Sequence, residues 1–172
     1  TLTLLGNANI LHELRAPYTE AGATASDNIN GNITYSIAIG GSVNINSPGT
    51  YTISFNVNDF SGNAAAPVSR VVQVADRTPP VITLIGNSTI NHEVGTIFVD
   101  PGATATDNID GNLTTSINFS GSVNASVPGT YTLTYRVSDT AGNPATAVNR
   151  TVIVADTGAP SISLNGSATI LH

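Results

Sequence analysis

The chain contains no cysteine, methionine, tryptophan or lysine, and its five cations are all arginine. Without cysteine there are no disulfides, thiol nucleophiles or thiolate metal sites. Without lysine there is no Walker-type phosphate loop, no Schiff-base amine and no Lys–Asn isopeptide staple. Charge is scarce too: only 9 % of the 172 residues are charged, and the net charge is −6. That balance excludes nucleic acid as a partner, since it is bound through clustered Lys and Arg. It equally disfavours an anionic membrane surface. No apolar run approaches the roughly 20 residues of a spanning helix, so no membrane span is expected. No signal peptide opens the chain, which predicts a mature or internal stretch of a longer protein.

What is abundant is Thr, Ser, Asn and Gly, with many β-branched residues among them. This composition predicts an extracellular β protein. Its length resolves into two repeats of 80 residues and a remainder of 12. Gly6, Gly86 and Gly166 recur at that interval, as do His12, His92 and His172. Aligned without a gap, residues 1–80 and 81–160 are identical at 40 of 80 positions. Internal periodicity of this kind is the signature of a repeat architecture.

The second copy shows the pattern most clearly. Val81–Ile85 and Ala103–Asp107 read as strands, and NIDGN at 108–112 as a turn. Leu113–Phe119 reads as a strand and Gly121–Asn124 as a short one, while His92–Gly95 reads as a turn. Tyr131, Leu133, Tyr135 and Val137 alternate with Thr and Arg, so one face is buried and one solvated. DTAGN at 139–143 is a hairpin turn, and Thr146–Val154 is the last strand. Tyr51, Ile53, Phe55 and Val57 are the matching stripe in the first copy. About seven short strands per repeat predict an all-β fold of tandem immunoglobulin-like β-sandwiches. Tyr51 and Tyr131, each just after a Pro-Gly corner, suit either a tyrosine-corner role or plain core packing. Expected domains are 1–78 and 79–158. Residues 159–172 would be the first strand of a third repeat or a strand donated to a neighbouring subunit.

Four ordered strings carry a family resemblance: PVITLIG (80–86), DPGATATDNIDGNLT (100–114), PGTYTLTYRVSDTAGN (128–143) and RTVIVAD (150–156). Together they resemble the bacterial Ig-like domain family first delineated in insecticidal crystal proteins and found in large surface proteins. The resemblance covers both repeats and implies an extracellular, tandemly arrayed spacer or adhesion module with no catalytic residues. The first copy departs from it at Glu20-Ala21, where the second has Asp100-Pro101, and at Asn30, where the second has Asp110.

The acids recur at turns and strand ends. In tandem sandwiches stacked end to end, Glu13, Asp76, Asp107, Asp110 and Asp139 would gather at one junction, with Asn108, Asn112 and Asn143 adding oxygens. Calcium takes six to eight such ligands, so an interdomain calcium site that stiffens the array is one expectation. The alternative is that these Asp and Asn residues form turns by bonding their own backbone. The one His per repeat lacks the HExxH spacing of a zinc protease. No nucleophile or acid–base constellation repeats, and Asp100, a single-copy acid, has no evident partner, so no enzyme is expected.

The leading expectation is a structural or adhesive repeat of a cell-surface protein, an adhesin stalk or fibre subunit. Its partners would be other copies, end to end or by strand addition, and a cell-surface or glycan ligand. The competing expectation is a carbohydrate-binding accessory module of a secreted enzyme. Tyr18, Tyr35, Phe60 and Phe119 are its candidate exposed aromatics.

Overall fold

In the computed structural model, which describes residues 1–163 and Asn165, the chain divides into two compact units. One is Thr1–Pro79 with Thr140–Asn143; the other is Pro80–Asp139 with the chain from Pro144 onward. Strands and two single turns of 3-10 helix make up the regular structure of the described residues. No helix among them is long and apolar enough to cross a membrane.

The first unit holds β1 (Leu2–Leu4), β2 (Asn9–Glu13), β3 (Ala23–Asp27), β4 (Gly31–Asn32), β5 (Ala38–Gly40), β6 (Gly49–Asn56) and β7 (Val68–Ala75). The second repeats them as β8 (Val81–Leu84), β9 (Thr89–Glu93), β10 (Ala103–Asp107), β11 (Gly111–Asn112), β12 (Asn118–Ser120), β13 (Gly129–Arg136) and β14 (Val148–Ala155). Each unit pairs a three-stranded sheet with a four-stranded one, β1-β3-β4 with β2-β7-β6-β5, and β8-β10-β11 with β9-β14-β13-β12. Among the described residues all strand pairings are antiparallel except two: β2 runs parallel to β7, and β9 parallel to β14. The second and last strands of each module are therefore neighbours running the same way.

Alternation in the long strands decides what fills the space between the sheets. Ile53, Phe55 and Val57 are buried and face Ala23, Ala25 and Ile33; Leu133, Tyr135 and Val137 face Ala103, Ala105 and Leu113. Removing a side chain such as Phe55 from water contributes about 1.5–3 kcal/mol. The small alanines of β3 and β10 let the sheets approach the larger residues opposite. The corner role is realised: the Tyr51 hydroxyl donates to Ser47 O at 2.8 Å, and that of Tyr131 to Val127 O at 2.9 Å. Gly121, at φ 99°, turns the chain against the backbone of Thr132, where a β-carbon would collide with the carbonyl.

Several local expectations are corrected. Leu113–Phe119 is not one strand: Thr114–Ser116 forms a 3-10 turn before β12 begins at Asn118. The Asn112 side chain accepts from Thr114 N at 2.9 Å, and this local bond competes with the ladder. Gly121–Asn124 forms no strand, and His92 lies within β9 rather than in the turn that follows. The last strand begins at Val148, not Thr146. The strand expected at the tail falls mostly on Leu164 and residues 166–172, outside the described residues.

Candidate functional site

The recurring acids sit at the two ends of each module. Asp107 closes β10, and Asp139 opens the hairpin between β13 and β14; their carboxylates offer oxygens within 4.8 Å of one another. Asp107 Oδ1 accepts the backbone N–H groups of Ile109 (2.7 Å) and Asp110 (2.9 Å), forming an Asx turn. The turn-forming role is thus real, but it uses one oxygen only. Asp107 Oδ2 is buried and accepts no hydrogen bond among the described residues. Asp139 is 7 % exposed. Two close carboxylates, one with a buried unused oxygen, are hard donors of the kind calcium takes. Asp110 contributes its backbone N–H to this turn.

The first module has the same pair in a different condition. Asp27 Oδ1 accepts from Ile29 N and Asn30 N, and these bonds hold its pKa below the ordinary carboxylate value. Asp59 spends both oxygens within its own hairpin, Oδ1 on Ser61 N and Asn63 N, Oδ2 on Asn63 Nδ2 at 2.7 Å. The Asn63 side chain is the main cause of its lowered pKa. Asn30, which replaces Asp110, accepts from Phe60 N at 3.3 Å.

Glu13 and Asp76 share the opposite end of the first module, since Glu13 pairs with Ala75 across β2 and β7. Their carboxylates hold the outgoing chain. Glu13 Oε2 accepts from Arg77 N at 3.0 Å, and the buried Asp76 accepts from Thr78 N at 3.2 Å. The second module repeats this with its own residues. Glu93 Oε2 accepts the backbone N–H (2.8 Å) and hydroxyl of Thr157, and Asp156 Oδ1 accepts from Gly158 N at 3.1 Å. The hydroxyl bond is the leading cause of the lowered Glu93 pKa. Glu13, expected as a metal ligand, is thus also a clasp on the linker.

The sequence reading missed a buried clasp in each sandwich. Arg70 and Arg150 are 0 % exposed, the largest fully buried side chains of the described residues. Arg70 bonds the Glu20 carboxylate, Leu5 O and, at 2.9 Å, Asn7 O. Arg150 bonds Asp100, Ile85 O, Asn87 O (3.2 Å) and Gly102 O (3.1 Å). Asp100 therefore has a partner, contrary to expectation, because the strand side carrying Val148, Val152 and Val154 carries Arg150 too. The signal was that parity: an arginine at an inward position of an alternating strand must bring its own counter-charge inside.

Of the four candidate aromatics, Tyr18 packs on the core and donates to Glu20 at 2.6 Å, so it is not an exposed platform. Tyr35, Phe60 and Phe119 are exposed. Each stands at a position where the other repeat has a different residue, namely Thr115, Thr140 and Ile39.

Comparison with known proteins agrees with this architecture. A family model described as bacterial surface protein, Ig-like domain, matches residues 2–74 and 82–154. An uncharacterized 81.3 kDa protein of Acholeplasma phage L2 is 38 % identical over 108 residues, covering 59 % of this chain and 14 % of that protein. The chain thus spans a small part of that relative's length. Among solved structures, the M60 catalytic domain with the CBM51-1 and CBM51-2 domains of Clostridium perfringens ZmpB gives a TM-score of 0.55. That match has 13 % identity and covers 91 % of this chain and 31 % of the other. The fibronectin(III)-like modules of Clostridium thermocellum CbhA give 0.40 at 12 % identity, covering 96 % and 100 %. Two family matches, one on each of two sandwiches with the same strand order, make this chain a member of the bacterial surface protein Ig-like domain family.

Proposed function

We propose that the chain is a non-catalytic structural and adhesive repeat of an extracellular or cell-surface protein, a spacer within a stalk or fibre. The observation that carries this reading is the linker clasp. Each module fastens the first residues of its outgoing chain with a Glu from its second strand and an Asp just after its last. A binding domain on a loose tether has no use for such a fixed exit, whereas a spacer depends on it. Short Pro-bearing linkers such as Asp76–Pro80 add backbone stiffness. Glu13→Ala with Glu93→Ala should broaden the distance distribution in small-angle scattering of the full chain. An unchanged distribution would contradict the reading.

Calcium at the Asp107–Asp139 end is the second part of the proposal. Support comes from the unused Oδ2 of Asp107 and from chain reach. Val81 pairs with Thr106, so the chain enters the second module beside Asp107. Five residues span at most about 18 Å, which leaves the Asp76 carboxylate able to join as a third acid. Asp110 and Glu13 are the remaining acids of the proposed ligand set. Melting the full chain in EDTA and in millimolar calcium tests this. The ion should raise the midpoint, and Asp139→Asn should abolish the rise. Equal midpoints in both buffers would remove calcium and leave the spacer reading intact.

A further inference from the structure

We infer that each module is built to carry tension along the chain, and that Arg70 and Arg150 are the clasps on which its resistance depends. The inference rests on the spacer reading and goes beyond it, since a spacer need only be stiff, not strong.

Force applied at the two chain ends passes from the first strand of a module to its second and leaves from its last strand. The second and last strands are the neighbours that run parallel. In the first module Asn9↔Val71 through Glu13↔Ala75 are paired over five positions, and in the second Thr89↔Thr151 through Glu93↔Ala155. Pulling parallel neighbours from opposite ends slides them lengthwise past each other. All their cross-strand hydrogen bonds then share the force and must break together. An antiparallel pair pulled from adjacent ends would instead open one bond at a time.

The arginines lie across that same boundary. Arg70 is on the last strand, and its guanidinium holds the carbonyls of Leu5 and Asn7, in the segment between the first two strands. Arg150 holds Ile85 O and Asn87 O in the matching segment. Both add an ion pair to the segment that follows the second strand, through Glu20 or Asp100. A guanidinium presents several donors in one rigid plane, so one side chain ties three parts of the entering chain to the leaving strand. Hydrogen bonds to a charged donor are also about twice as strong as neutral ones.

The test holds the full chain by its two ends in a force clamp, in EDTA so that no metal contributes. The intact protein should unfold in two events. Arg150→Gln should make one event roughly tenfold faster at constant force, as loss of charge-assisted bonds at the barrier requires, and leave the other unchanged. Arg70→Gln should do the same to the other event. Leu133→Ala, a core change on β13 away from the parallel pair, is the control for general destabilisation. At matched loss of stability in denaturant it should accelerate its event less. If Arg150→Gln prevents that module from folding, Arg150→Lys keeps the charge, loses the planar fork and should show a smaller acceleration. Unchanged event rates, or a Leu133→Ala effect as large as that of Arg150→Gln, would overturn the inference. Failure of the spacer reading would appear separately, in the scattering of the Glu13 and Glu93 variants.

Discussion

The buried clasps of the two modules do the same job with different residues. In the first, Arg70 meets Glu20, whose carboxylate also takes the hydroxyl of Tyr18 from the same extended segment. In the second, Arg150 meets the shorter Asp100, and the phenol comes from Tyr135 on β13, with its ring 5.7 Å from the guanidinium carbon. The residues at the exchanged positions are Phe98 in place of Tyr18 and Phe55 in place of Tyr135. Three substitutions between the repeats therefore act as one. Shortening the acid by a methylene goes with taking its phenol donor from β13 instead of from the acid's own segment. What is kept is a chemical unit of guanidinium, carboxylate and phenol, and no single identity apart from the arginine is required.

The largest effect should come from removing the acid. Glu20→Ala or Asp100→Ala leaves a fully buried guanidinium without its counter-charge, at a cost of about 3–5 kcal/mol to the altered module. Calorimetry of the full chain should show one transition fall while the other holds. Equal movement of both would mean that the modules do not melt independently.

Next comes the exchange itself. Tyr135→Phe should cost about 1 kcal/mol, the net value of one buried hydrogen bond. Phe98→Tyr with Asp100→Glu and Tyr135→Phe should recover most of it by installing the first module's version in the second. Loss that simply adds across the three changes would show the sites to be independent and the comparison wrong.

The phenols also separate the modules in alkali. Burial, reinforced by the Asp100 hydrogen bond, pushes Tyr135 from 10.0 up to about 12. A raised folded-state pKa gives stability that is fully present below pH 10 and lost as pH climbs towards about 12. The second module should weaken across that window, and Tyr135→Phe should abolish the step when unfolding is followed by circular dichroism against pH.

The smallest effect concerns Glu93, held below the ordinary carboxylate value by Thr157. A depressed pKa stabilises above the unfolded value of 4.5 and is lost as pH falls through the folded one. Amide exchange at Thr157 should therefore rise in acid, and Glu93→Gln should blunt that rise.

Much of this was legible in the sequence because it is written in period two. The stripes at Tyr51–Val57 and Tyr131–Val137, the Pro-Gly corners and the hairpin at Asp139 all reappear as strands and turns. Glu13, Asp27, Asp59 and Asp76 were legible as module features because each returns after 80 residues, as Glu93, Asp107, Asp139 and Asp156. The two arginines were not, because a charged residue in a strand reads as solvent-facing unless its parity is counted. Their acids were hidden further by differing between repeats, which makes Asp100 look like an isolated substitution. Glu13 was read only as a ligand because its bond to Arg77 N spans 64 residues, and no local pattern reports it.

On the spacer reading, each module fixes the direction in which the chain leaves it, and nitrogen-15 relaxation of the Arg77 and Thr78 amides measures this. Order parameters of about 0.85, equal to those of the strands and falling in Glu13→Ala, are the predicted result. Values below about 0.6 in the unaltered chain would mean a loose tether and would contradict the account.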